Sequence, residues 1–295
     1  MPVKMDGKEV AEHLYQTIRA EVAELKKEGI VPCLAVVLVG ENPASVSYVT
    51  AKEKMCEELG MRSIDLRLPA SSTTEELLAQ IQRFNQDPSV HGILVQLPLP
   101  PQVDASRVLN SIDPTKDVDG FLPISAGLLM AGHPSFLPCT PAGIIRLLEY
   151  YKISLEGRHA VVVGRSMTVG KPLALLLLEK NCTVTICHSR TQNLAQLTQQ
   201  ADILVAATGK PYLIRQGMVK EGAVLVDVGV NRIEDLSHPK GFRLVGDAVH
   251  EELMDKVSYY TPVPGGVGPM TIAMLMYNTL LSAKKTYSTA PKNCV

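Results

Sequence analysis

Tyr48 and Lys52 stand four residues apart, downstream of Asn42-Pro43. Asn42 is an N-cap residue and Pro43 a first-turn proline, so the spacing predicts a helix with Tyr48 and Lys52 on one face. No charge lies between them. A phenol beside an amine can move protons if that face looks into a site; on a solvated helix the same pair is ordinary surface. Gln96 is the polar residue of the apolar run Gly92–Leu97, near the end of what reads as a strand. A buried amide left unpaired costs about 1–3 kcal/mol, so Gln96 needs partners, either in a site or in a loop that it caps. Asp117 and Asp119 flank Val118 in the run Lys116–Gly120. Paired carboxylates raise the question of a metal. No further carboxylate or histidine follows at ligand spacing, so Asp119 reads as a single hydrogen-bonding aspartate, and no metal is expected.

Two further segments carry glycine where backbone must come close to a ligand. The run His159–Gly164 reads as a strand, and Arg165-Ser166-Met167-Thr168-Val169-Gly170 leads from it into a helix. Such a turn aims N–H groups and a helix dipole at an anion. The spacing Gly164 to Gly170 departs from the common GxGxxG fingerprint, and glycine at such a turn can also serve packing alone. The next strand ends in Cys187-His188-Ser189-Arg190-Thr191, without the carboxylate that would take a ribose 2′-hydroxyl. A hydroxyl and a guanidinium there suit a 2′-phosphate, and Arg165 can approach the same group, so the reading favours NADP over NAD. The alternative is that Arg190 is a solvated loop cation. The second segment, Thr261–Thr271, holds three glycines and three prolines in eleven residues. So constrained a path before a helix brings main chain near a ligand.

These residues need elements to hold them. Val10, Leu14, Ile18, Val22 and Leu25 recur at helical spacing. Short apolar runs follow at Cys33–Gly40, Ser63–Leu68 and Gly92–Leu97, with helical patterns between them. Strand and helix alternate again from His159, with strands at Thr183–Ser189, Asp202–Ala207, Ala223–Val230 and Tyr259–Val263. Alternation of this kind predicts parallel sheets. The turn-rich stretch from Asp113 to Pro141 reads as the crossover between two α/β domains. A final helix covers about Met270 to Lys285, and the polar tail 286–295 reads as frayed.

The chain has 295 residues, enough for two cores, with 46% hydrophobic residues and a net charge of −1. That balance gives no pull toward nucleic acid or an anionic membrane. The longest apolar runs are too short to span a bilayer, and the N-terminus lacks the marks of a signal or transit peptide. The expectation is a soluble cytoplasmic protein. The six cysteines show no CxxC pair and no zinc spacing, and read as reduced structural thiols.

Taken together, the segments VGENPASVSYVTAKEK from Val39, HGILVQLPLP from His91, KDVDGF from Lys116, PCTPAG from Pro138, VVVGRSMTVGKP from Val161 and TPVPGGVGPMT from Thr261 carry a resemblance over nearly the whole chain. The chain resembles the bifunctional methylenetetrahydrofolate dehydrogenase/methenyltetrahydrofolate cyclohydrolase family. The resemblance implies a folate-binding catalytic domain at 1–140, completed by the helix 270–285, and a Rossmann-like NADP-binding domain at 141–269, with a cleft between them. It implies oxidation of methylenetetrahydrofolate with NADP, then hydrolysis of the methenyl product. Lys52 becomes the acid/base residue of the hydrolytic step, with Gln96 bonded to it. Tyr48 packs on the folate, and Asp119 binds the pterin amino edge. Val95, Leu97, Pro264, Gly265, Gly266 and Val267 border the folate. Gly164, Arg165, Ser166, Ser189 and Val230 contact NADP. A homodimer is implied as well. The competing readings are a monofunctional dehydrogenase of the same family, a two-domain dehydrogenase of the shikimate type, which leaves the proline–glycine loop unexplained, and a folate- or nucleotide-binding module without turnover.

Overall fold

In the computed structural model, residues 1–238 and 241–289 are described. In chain order the first part runs β1 (Val3–Lys4), α1 (Gly7–Lys27), β2 (Cys33–Val39), α2 (Pro43–Glu58), β3 (Arg62–Leu68), α3 (Thr74–Gln86), β4 (Gly92–Val95), α4 (Ala105–Asn110), α5 (Pro123–Met130) and α6 (Cys139–Tyr150). The second part runs β5 (His159–Val163), α7 (Gly170–Glu179), β6 (Thr183–Cys187), α8 (Leu194–Thr198), β7 (Ile203–Ala206), β8 (Val224–Asp227), β9 (Asn231–Glu234), β10 (Phe242–Val245), α9 (His250–Leu253), β11 (Tyr259–Tyr260) and α10 (Val267–Thr289). The chain divides into two compact units, one of His13–Cys139 with Ile272–Val295, the other of Met1–Glu12 with Thr140–Thr271.

The first unit is built on a three-stranded parallel sheet in the order β3-β2-β4. All seven residues of β2 are buried, whereas the edge strand β3 alternates exposed and half-buried positions. A central strand covered on both faces reads as a continuous apolar run, and an edge strand does not. Leu77 and Ile81 of α3 pack on the sheet through Ala35, Val37, Ile93 and Val95. Thr73 and Glu76 start that helix with a reciprocal capping box.

The expected irregular crossover contains a helix, α5, of eight residues. Leu122 at its N-cap has no side chain to offer. Instead the carboxylate of Asp117 accepts from the N–H groups of Phe121 and Leu122 and from Ser125 Oγ. A cap supplied five residues upstream carries no local sequence signal. Asp117 is thereby accounted for as a buried structural acceptor.

The second unit has a six-stranded, all-parallel sheet in the order β1-β11-β8-β7-β5-β6. From β5 the chain goes first to β6 on one side and then to β7 on the other, so strand order reverses between β5 and β7. Doubly wound sheets bind ligands at the carboxyl ends of the strands flanking such a point. β9 and β10 form a separate antiparallel pair. Neither that pair nor β1 was expected from the sequence: β1 has two residues, too few for any periodicity. β1 pairs with β11, and the N–H of Gly7 donates to Gly265 O (3.0 Å), which places residues 1–12 with this unit.

The expected terminal helix is longer than its apolar stripe. It begins at Val267 and continues through Thr289, and Tyr287 Oη donates to Glu28 Oε2 (2.9 Å). Residues 286–289, read from sequence as part of a frayed tail, are therefore helical; 290–295 lie outside the described residues. Among the described residues, no helix is long and apolar enough to cross a membrane.

Candidate active site

In the first unit, Lys52 projects from α2 and Gln96 follows β4. Asn42 Oδ1 accepts from Ser45 N (3.2 Å), which starts α2 just past the end of β2. Lys52 Nζ donates to Gln96 Oε1 (3.0 Å), and Gln96 Nε2 donates to Leu97 O (2.8 Å). The amide therefore has both its ends occupied, one of them by the amine. Burial pushes the Lys52 pKa down, and the nearby Asp119 carboxylate opposes that shift. Asp119 is half-buried. Desolvation lifts its pKa to about 6, Lys52 pulls it down, and Asp117 pushes it up. Lys52, Gln96 and Asp119 thus share one site. Tyr48 stands one turn earlier on α2 and is 46% exposed, open to a planar ligand. Val95 is buried in the sheet core, so its contribution toward a ligand is limited to backbone, and Leu97 is half-buried.

Three residues that the sequence did not single out hold this arrangement. Asn278, in the middle of α10, donates through Nδ2 to Val118 O (2.8 Å) and Leu137 O (2.9 Å), pinning the loop that carries Asp119. Cys139 is buried beside Asp119, and its thiol donates to Val118 O (3.3 Å). Burial keeps that thiol protonated, with its pKa well above the usual range. Gly92 lets Val118 lie against β4, because an added Cβ would meet Val118 Cγ2 at 2.7 Å. Among the described residues, no group of three or more His, Cys, Asp or Glu is placed to hold a metal ion.

In the second unit the Gly164 and Gly170 positions explain their own spacing. An added Cβ on Gly164 would lie 2.1 Å from Ala207 O, and one on Gly170 would lie 2.2 Å from Gly164 O. The turn is thus pressed against the end of β7 on one side and the start of α7 on the other. Ser166 Oγ accepts from Val169 N (3.1 Å) and Gly170 N (3.2 Å), which leaves its O–H as a donor toward an anion. Arg165 is exposed. After β6, Thr191 Oγ1 accepts from His188 N (2.8 Å) and His188 Nδ1 accepts from Arg190 N (3.1 Å). That small turn leaves Ser189 and Arg190 exposed at its tip. Val230, in the loop after β8, is 45% exposed. The Ser166 hydroxyl in the turn before α7 and a carboxylate-free β6 end fit a dinucleotide carrying a 2′-phosphate.

Pro264–Val267 belong to this second unit and open α10. Gly266 N donates to Pro262 O (2.9 Å), and a Cβ on Gly266 would strike Thr261 Cβ at 2.6 Å. Gly7 packs on the same loop, where a Cβ would lie 1.7 Å from Gly266 O. The glycine demand of this loop is met from both sides, and Gly7 was invisible to a reading of the loop alone.

The catalytic-domain model of tetrahydrofolate dehydrogenase/cyclohydrolase matches residues 5–119, and the NAD(P)-binding-domain model of the same family matches residues 138–287. The chain belongs to the tetrahydrofolate dehydrogenase/cyclohydrolase family. It is 54% identical over 281 residues to the bifunctional protein FolD of Brevibacillus brevis, covering 95% of this chain and 97% of that one. A crystal structure of the bifunctional enzyme FolD from Campylobacter jejuni superposes with a TM-score of 0.92 at 49% identity, covering 97% of this chain and 99% of the other. The Trypanosoma brucei enzyme, solved with NADP cofactor and inhibitor, superposes with a TM-score of 0.93 at 38% identity over 97% and 98% of the two chains. Within this tetrahydrofolate dehydrogenase/cyclohydrolase chain the catalytic match spans Lys52, Gln96 and Asp119. The NAD(P) match spans the turns after β5, β6 and β8 and the proline–glycine loop.

Proposed function

We infer that this chain is a bifunctional enzyme that oxidises 5,10-methylenetetrahydrofolate to 5,10-methenyltetrahydrofolate with NADP and hydrolyses that product to 10-formyltetrahydrofolate. The observation that carries the hydrolytic half is the bond from Lys52 Nζ to Gln96 Oε1 beside Asp119, in a site where burial lowers the amine's pKa. The residue roles and the domain assignment are part of this proposal. Residues 13–139 with the second part of α10 form the folate-side unit, and 140–271 with the first twelve residues form the nucleotide unit.

NADP, when bound, supplies a hydride acceptor. The chain's part in the oxidation is to place the donor carbon and to keep water out while a cationic methenyl bridge forms, so that step asks for geometry more than for a strong base. Arg165 and Arg190 pair with the 2′-phosphate, Ser166 and Ser189 donate their hydroxyls, and the Val230 loop borders the nucleotide.

Hydration asks for proton movement. Water oxygen bonds to the methenyl carbon as one of its protons passes to Lys52 in its unprotonated fraction, which desolvation enlarges. The bond from that carbon to N5 then breaks, N5 gains a proton, and the oxygen gives up its remaining proton as the formyl C=O forms. The balance is one cation plus water giving a neutral formyl product and one released proton. Lys52 suits this traffic because desolvation lowers the cost of its neutral form. Gln96 Oε1 holds one N–H of Lys52 and so fixes which way the amine points. Asp119 accepts from the pterin amino edge, and Tyr48 packs against the folate. The family resemblance also assigns Pro264, Gly265, Gly266 and Val267 to the folate. A homodimer and a cytoplasmic location, both supported by the family resemblance, complete the proposal; sedimentation equilibrium tests the first.

Following NADPH formation and methenyl absorbance together on purified protein tests the reading. NADPH appearing while methenyl absorbance stays low and 10-formyl product accumulates is the expected result. Stoichiometric build-up of the methenyl compound would reduce the chain to a monofunctional dehydrogenase.

A further inference from the structure

Asp227 and Asp247 are completely buried carboxylates that the chemistry above does not use. Asp227 accepts from Gly229 N, Asp247 N and Ala248 N, each at 2.9 Å, with His250 Nε2 at 3.0 Å. Asp247 accepts from Thr208 N (2.6 Å), Thr208 Oγ1 (2.9 Å) and Gly209 N (3.0 Å) through one oxygen, and from Asn231 Nδ2 (2.9 Å) through the other. Two glycines make room for them reciprocally. An added Cβ on Gly229 would lie 2.3 Å from Asp247 Oδ1, and one on Gly246 would lie 1.9 Å from Asp227 Oδ2. Burying a carboxylate is costly unless its acceptor positions are filled, and here backbone N–H groups fill most of them, with Thr208 Oγ1, Asn231 Nδ2 and His250 Nε2 at the rest.

The donors to Asp247 come from the loop leaving β7 (Thr208, Gly209) and from Asn231, which opens β9 where the loop leaving β8 ends. Both loops lie at carboxyl ends of parallel strands. The first abuts the phosphate turn, since Gly164 packs on Ala207 O. With the 2′-phosphate end of the dinucleotide at the β6 turn and its phosphates at the β5 turn, the other half extends over β7 and β8. We propose that Asp247 is a positioning residue that fixes the loops after β7 and β8, through Thr208, Gly209 and Asn231, for the nicotinamide–ribose half of the dinucleotide. The inference rests on the NADP reading given above. Asp227 and Gly229 support it from beneath by holding residues 247 and 248 in place.

The test uses two ligands on the full-length protein: NADP, and adenosine 2′,5′-bisphosphate, which carries only the adenosine half. Dissociation constants are measured by calorimetry for the wild type, Asp247→Asn and the milder Asn231→Ala, which leaves the carboxylate in place. The expected result is NADP binding weakened by about tenfold to a hundredfold in Asp247→Asn, and less in Asn231→Ala, the range for losing hydrogen bonds to a charged group. The bisphosphate constant and the rate of methenyltetrahydrofolate hydrolysis, which needs no nucleotide, stay within twofold. Should Asp247→Asn not fold, Asn231→Ala carries the test alone. Unchanged NADP binding in the folded variants would overturn the proposal, as would equal losses for both ligands, which report general loosening. A wild type that binds neither ligand would remove the NADP reading itself, a result distinct from the other two.

Discussion

In the unit built on β2, β3 and β4, Asp119 sits half-buried beside an amine, with its pKa lifted to about 6 by desolvation. In the unit built on the six-stranded sheet, Asp227 and Asp247 are more deeply buried, yet each accepts from at least three backbone or side-chain donors. The difference lies in who supplies the partners. A carboxylate saturated by its own chain is committed to holding loops, and one left facing an amine keeps the capacity to act. Lys52 stands on the acting side of this divide. Lys52→Ala is expected to reduce methenyltetrahydrofolate hydrolysis by about 10²- to 10⁴-fold, the range for a positioned acid/base group, while weakening the dehydrogenase much less. Full hydration of methenyltetrahydrofolate by that variant would erase the contrast between the two units.

The same contrast recurs inside one motif. Asp117 and Asp119 are two residues apart, yet Asp117 is saturated by Phe121, Leu122 and Ser125, and Asp119 is not. Asp117→Asn should lower folding stability by about 1–3 kcal/mol in urea melts, whereas Asp119→Asn should cost little stability and much folate affinity. Equal stability losses would show that the origin of the partners does not separate them.

Arg165 sharpens the comparison from the nucleotide side. Arg165→Ala is expected to raise KM for NADP by about tenfold and to leave KM for the folate near its wild-type value in steady-state assays. Parallel rises in both constants would take the 2′-phosphate away from Arg165.

Much of this was legible before the fold was seen. β2 and β4 announced themselves as apolar runs, α2 by Asn42-Pro43, and Lys52 and Gln96 by helix spacing and strand end. The 2′-phosphate reading followed from Ser189 and Arg190 standing where a carboxylate would be. What stayed hidden depends on contacts distant in sequence. Asn278 looks like a stray polar residue on an apolar helix until its amide meets Val118 O, 160 positions away. Gly7 is an unremarkable glycine until the Gly265–Gly266 loop packs on it. Asp227 lies within the apolar run Ala223–Val230 and Asp247 outside any expected element; periodicity records that a side chain is buried but not which N–H groups fill its oxygens. Cys139 lay within a quoted motif, and only packing places its thiol beside Asp119.

The smallest expected effect is a shift in a pH profile, and it tests the electrostatics of the acting side directly. Asp119 is ionised above about pH 6 and protonated below. The carboxylate can accept twice from the pterin amino edge, whereas the acid keeps one oxygen occupied by its own proton. Folate KM should therefore rise as pH falls from 7 to 5, by up to about tenfold, since one unit below its pKa roughly a tenth of the group remains ionised. The cation on Lys52 now pulls the Asp119 pKa down against desolvation. Lys52→Met removes that pull, so the break in folate affinity should move to higher pH. Binding titrations of the folate at closely spaced pH values, on wild type and Lys52→Met, measure both effects. A break that stays in place or moves to lower pH in Lys52→Met would mean that the two side chains do not share a field.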